Sequence, residues 1–164
     1  MKETKKITYI GLLTGIALVL AYVEVLLPPL INSIPGIKIG LPNIAIIFVL
    51  YRFGVKYAAA TSLIRIIIVS LLFGNPISAI YSLSGGFLSL LAMSAMKRIP
   101  FFSTVSVSVA GGVLHNLGQI LAAMAILNTR ELGYYMIALA ISGTIAGIFV
   151  GIAASVAIKK VPIR

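Results

Sequence analysis

Long uninterrupted apolar segments are the feature that most limits how this chain folds. Hydrophobic residues make up 60% of the 164 residues and charged residues only 10%, whereas soluble domains are typically about 25% charged. A soluble domain of this length buries only part of its surface and could not hide so many apolar side chains. The segments also exceed the alternating stretches of about ten residues that build membrane barrels. The sequence therefore predicts an all-α, polytopic membrane protein.

Six segments approach the length of about 20 apolar residues that a helix needs to cross a bilayer. Proline and glycine separate several of them, notably at Pro28-Pro29, Gly54 and Gly74-Asn75-Pro76. The second and third segments are short and would need a thinned bilayer, support from neighbouring helices or an extension beyond the predicted boundaries. We expect one six-helix transmembrane domain over residues 1–164, with spans at Ile7–Leu27, Ile39–Phe53, Tyr57–Phe73, Ile77–Met96, Phe102–Leu127 and Gly133–Ile158.

Basic residues mark one side of these predicted spans. The two termini and the connections after the second and fourth spans carry ten lysines and arginines, whereas the opposite side carries only Lys38 and Arg130. Cytoplasmic loops are enriched in Lys and Arg, so both termini are expected in the cytoplasm and the chain in the cell membrane. The formal charge of +10 is thus a topology signal. Without a basic stripe on a solvated domain, we expect no nucleic-acid partner.

The inventory of reactive side chains argues against an enzyme. The chain has no aspartate and no cysteine, and it contains one histidine and three glutamates. Asp-rich magnesium–diphosphate sites, paired carboxylates and Ser-His-Asp triads therefore lack their residues. One histidine is a poor basis for a zinc site, and no phosphate-binding glycine loop is present. We expect no metal and no cofactor.

Polar residues inside the spans are the candidate ligand site, because intramembrane polar groups tend to face the protein interior or a cavity. At 100° per residue, Thr104, Ser108, Gly112, His115 and Gln119 form one stripe of the fifth span, with Asn116 at its edge, while apolar residues including Ile120 face lipid. The alternative is a set of structural hydrogen bonds, such as a Glu24–Arg65 pair. The predicted substrate-binding residues are His115, Asn116, Gln119, Asn43, Arg65, Asn75, Glu24 and Lys38.

Small residues recur at helical spacing in several spans, where they permit close helix approach. A ridge in the last span comprises Gly143, Gly147, Gly151 and Ser155, and packing inside one bundle is its simplest interpretation. In the first span the small residues could instead dock a partner membrane protein, and the candidates are Gly11, Gly15, Ala17 and Ala21. The outer connection, residues 28–38, is either a ligand-contacting lid or a linker.

Two motifs resemble a known family. The stretches "PGIKIGLPNI" (35–44) and "GGVLHNLGQI" (111–120), together with six spans and a small-residue first helix, resemble substrate-binding S components of energy-coupling-factor transporters. More narrowly, the chain is similar to the Gx transporter family, whose members are often labelled heptaprenyl diphosphate synthase component I. The resemblance implies a pocket near the outer face and docking, through the first helix, to a transmembrane subunit driven by two ATPases.

We therefore expect a transport protein that binds a small molecule in an outward-facing pocket. Lys38 and Arg65 would suit an anionic group, and the apolar surroundings would suit an isoprenoid-like or quinone-like ligand. One alternative is a non-catalytic accessory protein of isoprenoid, quinone or extracellular electron-transfer machinery. Another is a proton-coupled carrier that uses His115 and Glu24.

Overall fold

The computed structural model describes residues 3–27 and 39–161. Within these ranges the chain forms six α-helices, which confirms the predicted all-α bundle of six helices. A short 3-10 helix, Arg130–Tyr135, precedes the last of them. The helices are α1 (Glu3–Leu26), α2 (Asn43–Phe53), α3 (Val55–Phe73), α4 (Pro76–Met96), α5 (Thr104–Leu127) and α6 (Met136–Lys160).

The short helix α2 lies at the centre of the bundle. Its residues from Ala45 to Leu50 are all buried. Four of them pack in the hydrophobic core with α3 and α6 residues such as Ala58 and Val150, namely Ile46, Ile47, Val49 and Leu50. A helix that is apolar all round belongs in an interior. Eleven residues span about 16 Å at 1.5 Å per residue, much less than a bilayer core of about 30 Å.

The predicted second span, Ile39–Phe53, was therefore too long. Its first residues form a turn, closed by a 2.9 Å hydrogen bond from the Asn43 amide to the Gly40 carbonyl oxygen, and the helix begins only at Asn43. The other five helices in the described part of the chain are long and apolar enough to cross a membrane. The chain is thus built as a multi-pass membrane protein around a short buried helix.

A single residue, Gly54, connects α2 to α3. Its φ of +95° lies in a region that side chains with a Cβ rarely adopt. In this conformation the Gly54 amide donates to the Val49 and Leu50 carbonyl oxygens, both at 3.2 Å. The turn reverses the chain without a loop, and it holds the ends of both helices against each other.

Helix α5 lies between α4 and α6, and glycines make both contacts close. A Cβ on Gly112 would lie 2.5 Å from the Gly143 carbonyl oxygen of α6, and a Cβ on Gly118 would lie 2.7 Å from the Ser84 carbonyl oxygen of α4. Gly147 and Gly151 also lie directly against the α5 backbone. Most of the predicted α6 ridge therefore packs inside the bundle. Burial of Ile120 follows from the same sandwich, so the predicted lipid exposure of that residue was wrong.

Basic side chains tie helix ends together at one end of the bundle. Arg52 donates to the Ile158 carbonyl oxygen and, at 3.1 Å, to that of Val161. The Lys97 ammonium lies 2.6 Å from the Leu50 carbonyl oxygen. These groups complete hydrogen bonds at helix C-termini, where carbonyls lack partners within the helix. The structure thus gathers the basic ends predicted from sequence, and their cytoplasmic orientation stays a prediction.

Candidate functional site

One internal cavity is bordered by all six helices. Its volume is about 50 Å³, enough for a few water molecules or a small polar group. The α5 wall extends over two helical turns, from Ser108 to Asn116, and the facing α6 wall extends from Gly143 to Val150. The lining residues are Glu24, Ile39, Gly40, Pro42, Asn43, Ile47, Arg65, Ser82, Ser89, Met93, Ser108, Gly111, Gly112, His115, Asn116, Gly143, Ala146, Gly147 and Val150.

Two charged side chains, Glu24 of α1 and Arg65 of α3, border this cavity. The Glu24 carboxylate accepts a hydrogen bond from the Gly40 amide, and its negative charge acts on the Arg65 guanidinium. Within residues 3–27 and 39–161, no ion pair closer than 4 Å joins them. The Arg65 Nε is fully buried without a hydrogen-bond partner there. The Glu24–Arg65 pair that the alternative interpretation proposed is therefore a longer-range attraction, and each group keeps bonding capacity.

The α5 wall contributes His115, Asn116 and Ser108. Asn116 is 7% exposed, and its amide donates to the Leu139 carbonyl oxygen at 2.8 Å. Ser108 is 3% exposed, and its hydroxyl oxygen has no hydrogen-bond partner among the described residues. Asn116 thus holds α5 to α6, whereas Ser108 offers an unused hydroxyl to the cavity.

Asn43, the first residue of α2, also lines the cavity. The turn before Asn43 contains Gly40, which also lines the cavity. Its φ of +77° lies in the left-handed region, which glycine adopts readily. This conformation directs the Gly40 amide to Glu24. The motif "PGIKIGLPNI" therefore ends in a turn that closes the cavity beside its charged residues.

A comparison with protein-family models gives one match, to heptaprenyl diphosphate synthase component I, over residues 13–157. The match leaves out only the first 12 and the last seven residues of the chain. The chain belongs to the heptaprenyl diphosphate synthase component I family. This is the Gx transporter family that the two motifs indicated, so that prediction is confirmed. No curated protein and no solved structure matches the chain.

In this member of the family, the cavity brings together five of the predicted substrate-binding residues: Glu24, Asn43, Arg65, His115 and Asn116. Asn75 lies elsewhere, exposed at the start of α4, where its side chain accepts a 2.8 Å hydrogen bond from the Ser78 amide. Gln119 packs against Gly85 of α4 instead of the cavity. Lys38 lies outside the described residues.

The lining residues that had no predicted substrate-binding role include Ser82 and Ser89 of α4 and Ala146 of α6. The two serines are seven positions apart, which places them on one face of a helix. Hydroxyls at this spacing in an apolar helix are compatible with a polar cavity wall. They are equally compatible with a face of small residues that packs against another helix, so the sequence did not distinguish the two roles. The described residues contain no group of three or more His, Cys, Asp or Glu side chains placed to hold a metal ion.

The small residues of α1 divide between two faces. Ala17 and Ala21 are 0% and 3% exposed, and nearby Thr14 pairs with Thr61 of α3 at 3.2 Å. By contrast, a Cβ on Gly11 or Gly15 would meet nothing within 4 Å. At 100° per residue, the glycines and the alanines lie roughly 120° apart around the helix. The structure therefore removes Ala17 and Ala21 from the outward surface and leaves Gly11 and Gly15 there.

Proposed function

We propose that this protein binds a small molecule in the cavity between its helices, as the substrate-binding component of a transport system in the cell membrane. The observation that carries the proposal is the lining of the cavity. It combines two charged residues, Glu24 and Arg65, with a histidine and a serine hydroxyl inside an apolar bundle. Polar groups at this depth are costly and usually serve a function.

Unused bonding capacity at Arg65 and Ser108 favours a ligand over a structural role for these two residues. A buried polar group without a partner costs about 1–3 kcal/mol, and more when it is charged. The Arg65 Nε and the Ser108 Oγ are both in this condition, whereas a structural residue such as Asn116 has its bond. A bound molecule with acceptor atoms would give hydrogen-bond partners to the Arg65 Nε and the Ser108 Oγ.

The position of the turn at Gly40 supports entry from the end of the bundle opposite the basic helix ends. A cavity of about 50 Å³ is smaller than the pockets of about 300–1,000 Å³ that enclose drug-sized ligands. A ligand of that size could enter only if the Gly40 turn moved. This movement would break the hydrogen bond from the Gly40 amide to the Glu24 carboxylate. Charge asymmetry makes this end the outer face, so the pocket opens outward.

An energising partner belongs to the same proposal. The sequence contains no phosphate-binding loop for ATP, so ATP-driven transport would take its ATP hydrolysis from another protein. The outward side of α1 at Gly11 and Gly15 has free space for close helix approach. Together with the resemblance to S components, this surface supports docking to a transmembrane subunit that two ATPases drive.

Filling the cavity tests ligand binding. Ala146 lines it, whereas Ala153 of the same helix is exposed. Native mass spectrometry of gently extracted protein should show a small added mass on the wild type and on Ala153→Phe, and none on folded Ala146→Phe. Equal added mass on both variants, or no added mass on the wild type, would contradict the proposed binding function.

The family description supports a second candidate, a non-catalytic accessory role beside a prenyl synthase. Without any aspartate, this chain cannot supply an Asp-rich magnesium–diphosphate site. In the same native mass spectra, a soluble synthase subunit bound in place of a small molecule would favour the accessory role. A bound transmembrane subunit with ATPases would favour transport.

A further inference from the structure

Arg65 is the strongest unsatisfied binding group in the described part of the molecule. It lies in the middle of α3, borders the cavity, and has a fully buried Nε without a hydrogen-bond partner among residues 3–27 and 39–161. We propose that Arg65 binds an oxyanion of the ligand, a carboxylate or a phosphate group, inside the cavity. This inference rests on the proposed function and adds the chemical class of the group that is bound.

Guanidinium chemistry supports an oxyanion at this position. The planar side chain carries five donors in a fork that matches two oxygens of a carboxylate or phosphate. Charge-assisted hydrogen bonds of this kind are about twice as strong as neutral ones. The nearby Ser108 hydroxyl adds a donor that borders the same cavity. A neutral apolar ligand would leave both groups without partners.

Glu24 opposes Arg65 in the charge balance of the cavity. Its carboxylate attracts Arg65 from beyond ion-pair distance and is already engaged by the Gly40 amide. Because Glu24 borders the same cavity, its negative charge also repels an incoming anion. The two residues should therefore act in opposite directions. Loss of the Arg65 charge should abolish oxyanion binding, and loss of the Glu24 charge should strengthen it.

Small oxyanions are suitable probes because the cavity has a volume of about 50 Å³, which accommodates a group of a few heavy atoms. The experiment is a thermal unfolding titration of the purified full chain in detergent with sodium acetate or sodium phosphate. Sodium chloride at equal ionic strength is the reference. At saturation we expect one oxyanion to raise the wild-type Tm by about 3 °C or more, and the stronger probe distinguishes a carboxylate from a phosphate ligand.

Variants assign the effect to the cavity. Arg65→Met should lose the oxyanion-dependent shift and Arg65→Lys should keep part of it, whereas Arg130→Met, which removes an exposed arginine, should keep all of it. Glu24→Gln retains an acceptor for Gly40 and should lower the half-saturating oxyanion concentration about tenfold. If Arg65 had only a structural role, Glu24→Gln would not increase the affinity for the oxyanion. If Arg65→Met does not fold, Arg65→Lys and Glu24→Gln decide the outcome.

The inference is overturned if neither oxyanion shifts the wild-type Tm relative to chloride. It is also overturned if folded Arg65→Met responds like the wild type, or if Glu24→Gln weakens binding. In each case, a small added mass that Ala146→Phe loses would leave the proposed function standing. Absence of both the shift and the added mass would remove the inference and the function together.

Discussion

The side-chain amide of Asn116 lies 2.8 Å from the Leu139 carbonyl oxygen and joins α5 to α6 in the interior of the bundle. A second, longer contact of 3.4 Å reaches the Ser142 hydroxyl. The adjacent His115 borders the same cavity, but one position along a helix turns a side chain by about 100°. Neighbouring polar residues of one motif therefore differ in role: Asn116 joins two helices, and His115 borders the cavity.

Asn116→Ala should destabilise the bundle more than it weakens ligand binding. The substitution leaves α5 without its bond to α6, and interhelical hydrogen bonds in membrane proteins contribute about 0.6–1.5 kcal/mol. We expect a lower Tm in thermal unfolding and an undiminished added mass in native mass spectra of the folded fraction. Lost added mass at an unchanged Tm would instead make Asn116 a ligand-orienting residue.

His115→Ala and Gln119→Ala should differ in their effect on binding, although one turn of α5 separates the two residues. His115 borders the cavity, so its removal should reduce the occupancy of the added small molecule. Gln119 packs against Gly85, so its removal should leave that occupancy unchanged. Native mass spectrometry of both variants measures this difference. Equal losses would place Gln119 at the ligand as well.

Gly112→Ala should disrupt the contact between α5 and α6. The added methyl would lie 2.5 Å from the Gly143 carbonyl oxygen, too close for either backbone to accept without moving. Overpacking of this kind costs about 1–3 kcal/mol, measured as a lower Tm. Gly15→Ala is the matched control, since its methyl meets nothing within 4 Å and alanine favours the helix. A Tm for Gly112→Ala as high as that of the control would argue against the close contact.

Glu24→Ala should release the turn at Gly40, because the Glu24 carboxylate is the acceptor for the Gly40 amide. Charge-assisted bonds contribute about 1.5–3 kcal/mol, so amide exchange of this turn should accelerate about tenfold or more. Hydrogen–deuterium exchange of a peptide covering residues 39–43 measures it. Glu24→Gln keeps an acceptor oxygen and should exchange more slowly than Glu24→Ala. Wild-type exchange rates in both variants would show that the bond does not hold the turn.

Lys97→Met should destabilise the end of α2 that packs at the basic end of the bundle. The Lys97 ammonium donates to the Leu50 carbonyl oxygen at 2.6 Å, and in the described part of the chain this carbonyl otherwise accepts only the Gly54 amide, which it shares with the Val49 carbonyl at the end of the helix. We expect a loss of about 1 kcal/mol, seen as a lower Tm. Arg98→Met, which changes an exposed neighbour, should have a smaller effect. A larger loss of Tm in Arg98→Met than in Lys97→Met would show that the contact between Lys97 and Leu50 does not stabilise α2.

Much of the candidate site was predictable from residue chemistry. Charged and amide side chains are so unfavourable in lipid that Glu24, Asn43, Arg65, His115 and Asn116 stood out, and the structure places all five around one cavity. Asn75 shows the limit of the same reasoning. At a helix boundary an asparagine also serves as a cap, and the sequence did not distinguish that role from ligand binding.

Helix length was harder to predict than helix number. Apolar residues extend through Ile39 and Leu41 into α2, but Gly40 and Pro42 hold a turn that delays the helix to Asn43. Hydropathy does not register this delay, because Ile39 and Leu41 are equally apolar in a turn and in a helix. The short central helix therefore appeared as an ordinary, if short, membrane span.

The sequence by itself determined that this chain is a helical membrane protein with six helices, because apolar length and chain-breaking residues are local properties. Only the tertiary structure decided which faces point inward. It buried Ala17 and Ala21 but not Gly11 and Gly15, and it directed Asn116 to α6 and Gln119 to α4. The physical reason is that lipid and protein interior are both apolar, so hydropathy does not distinguish a face that meets lipid from one that meets another helix.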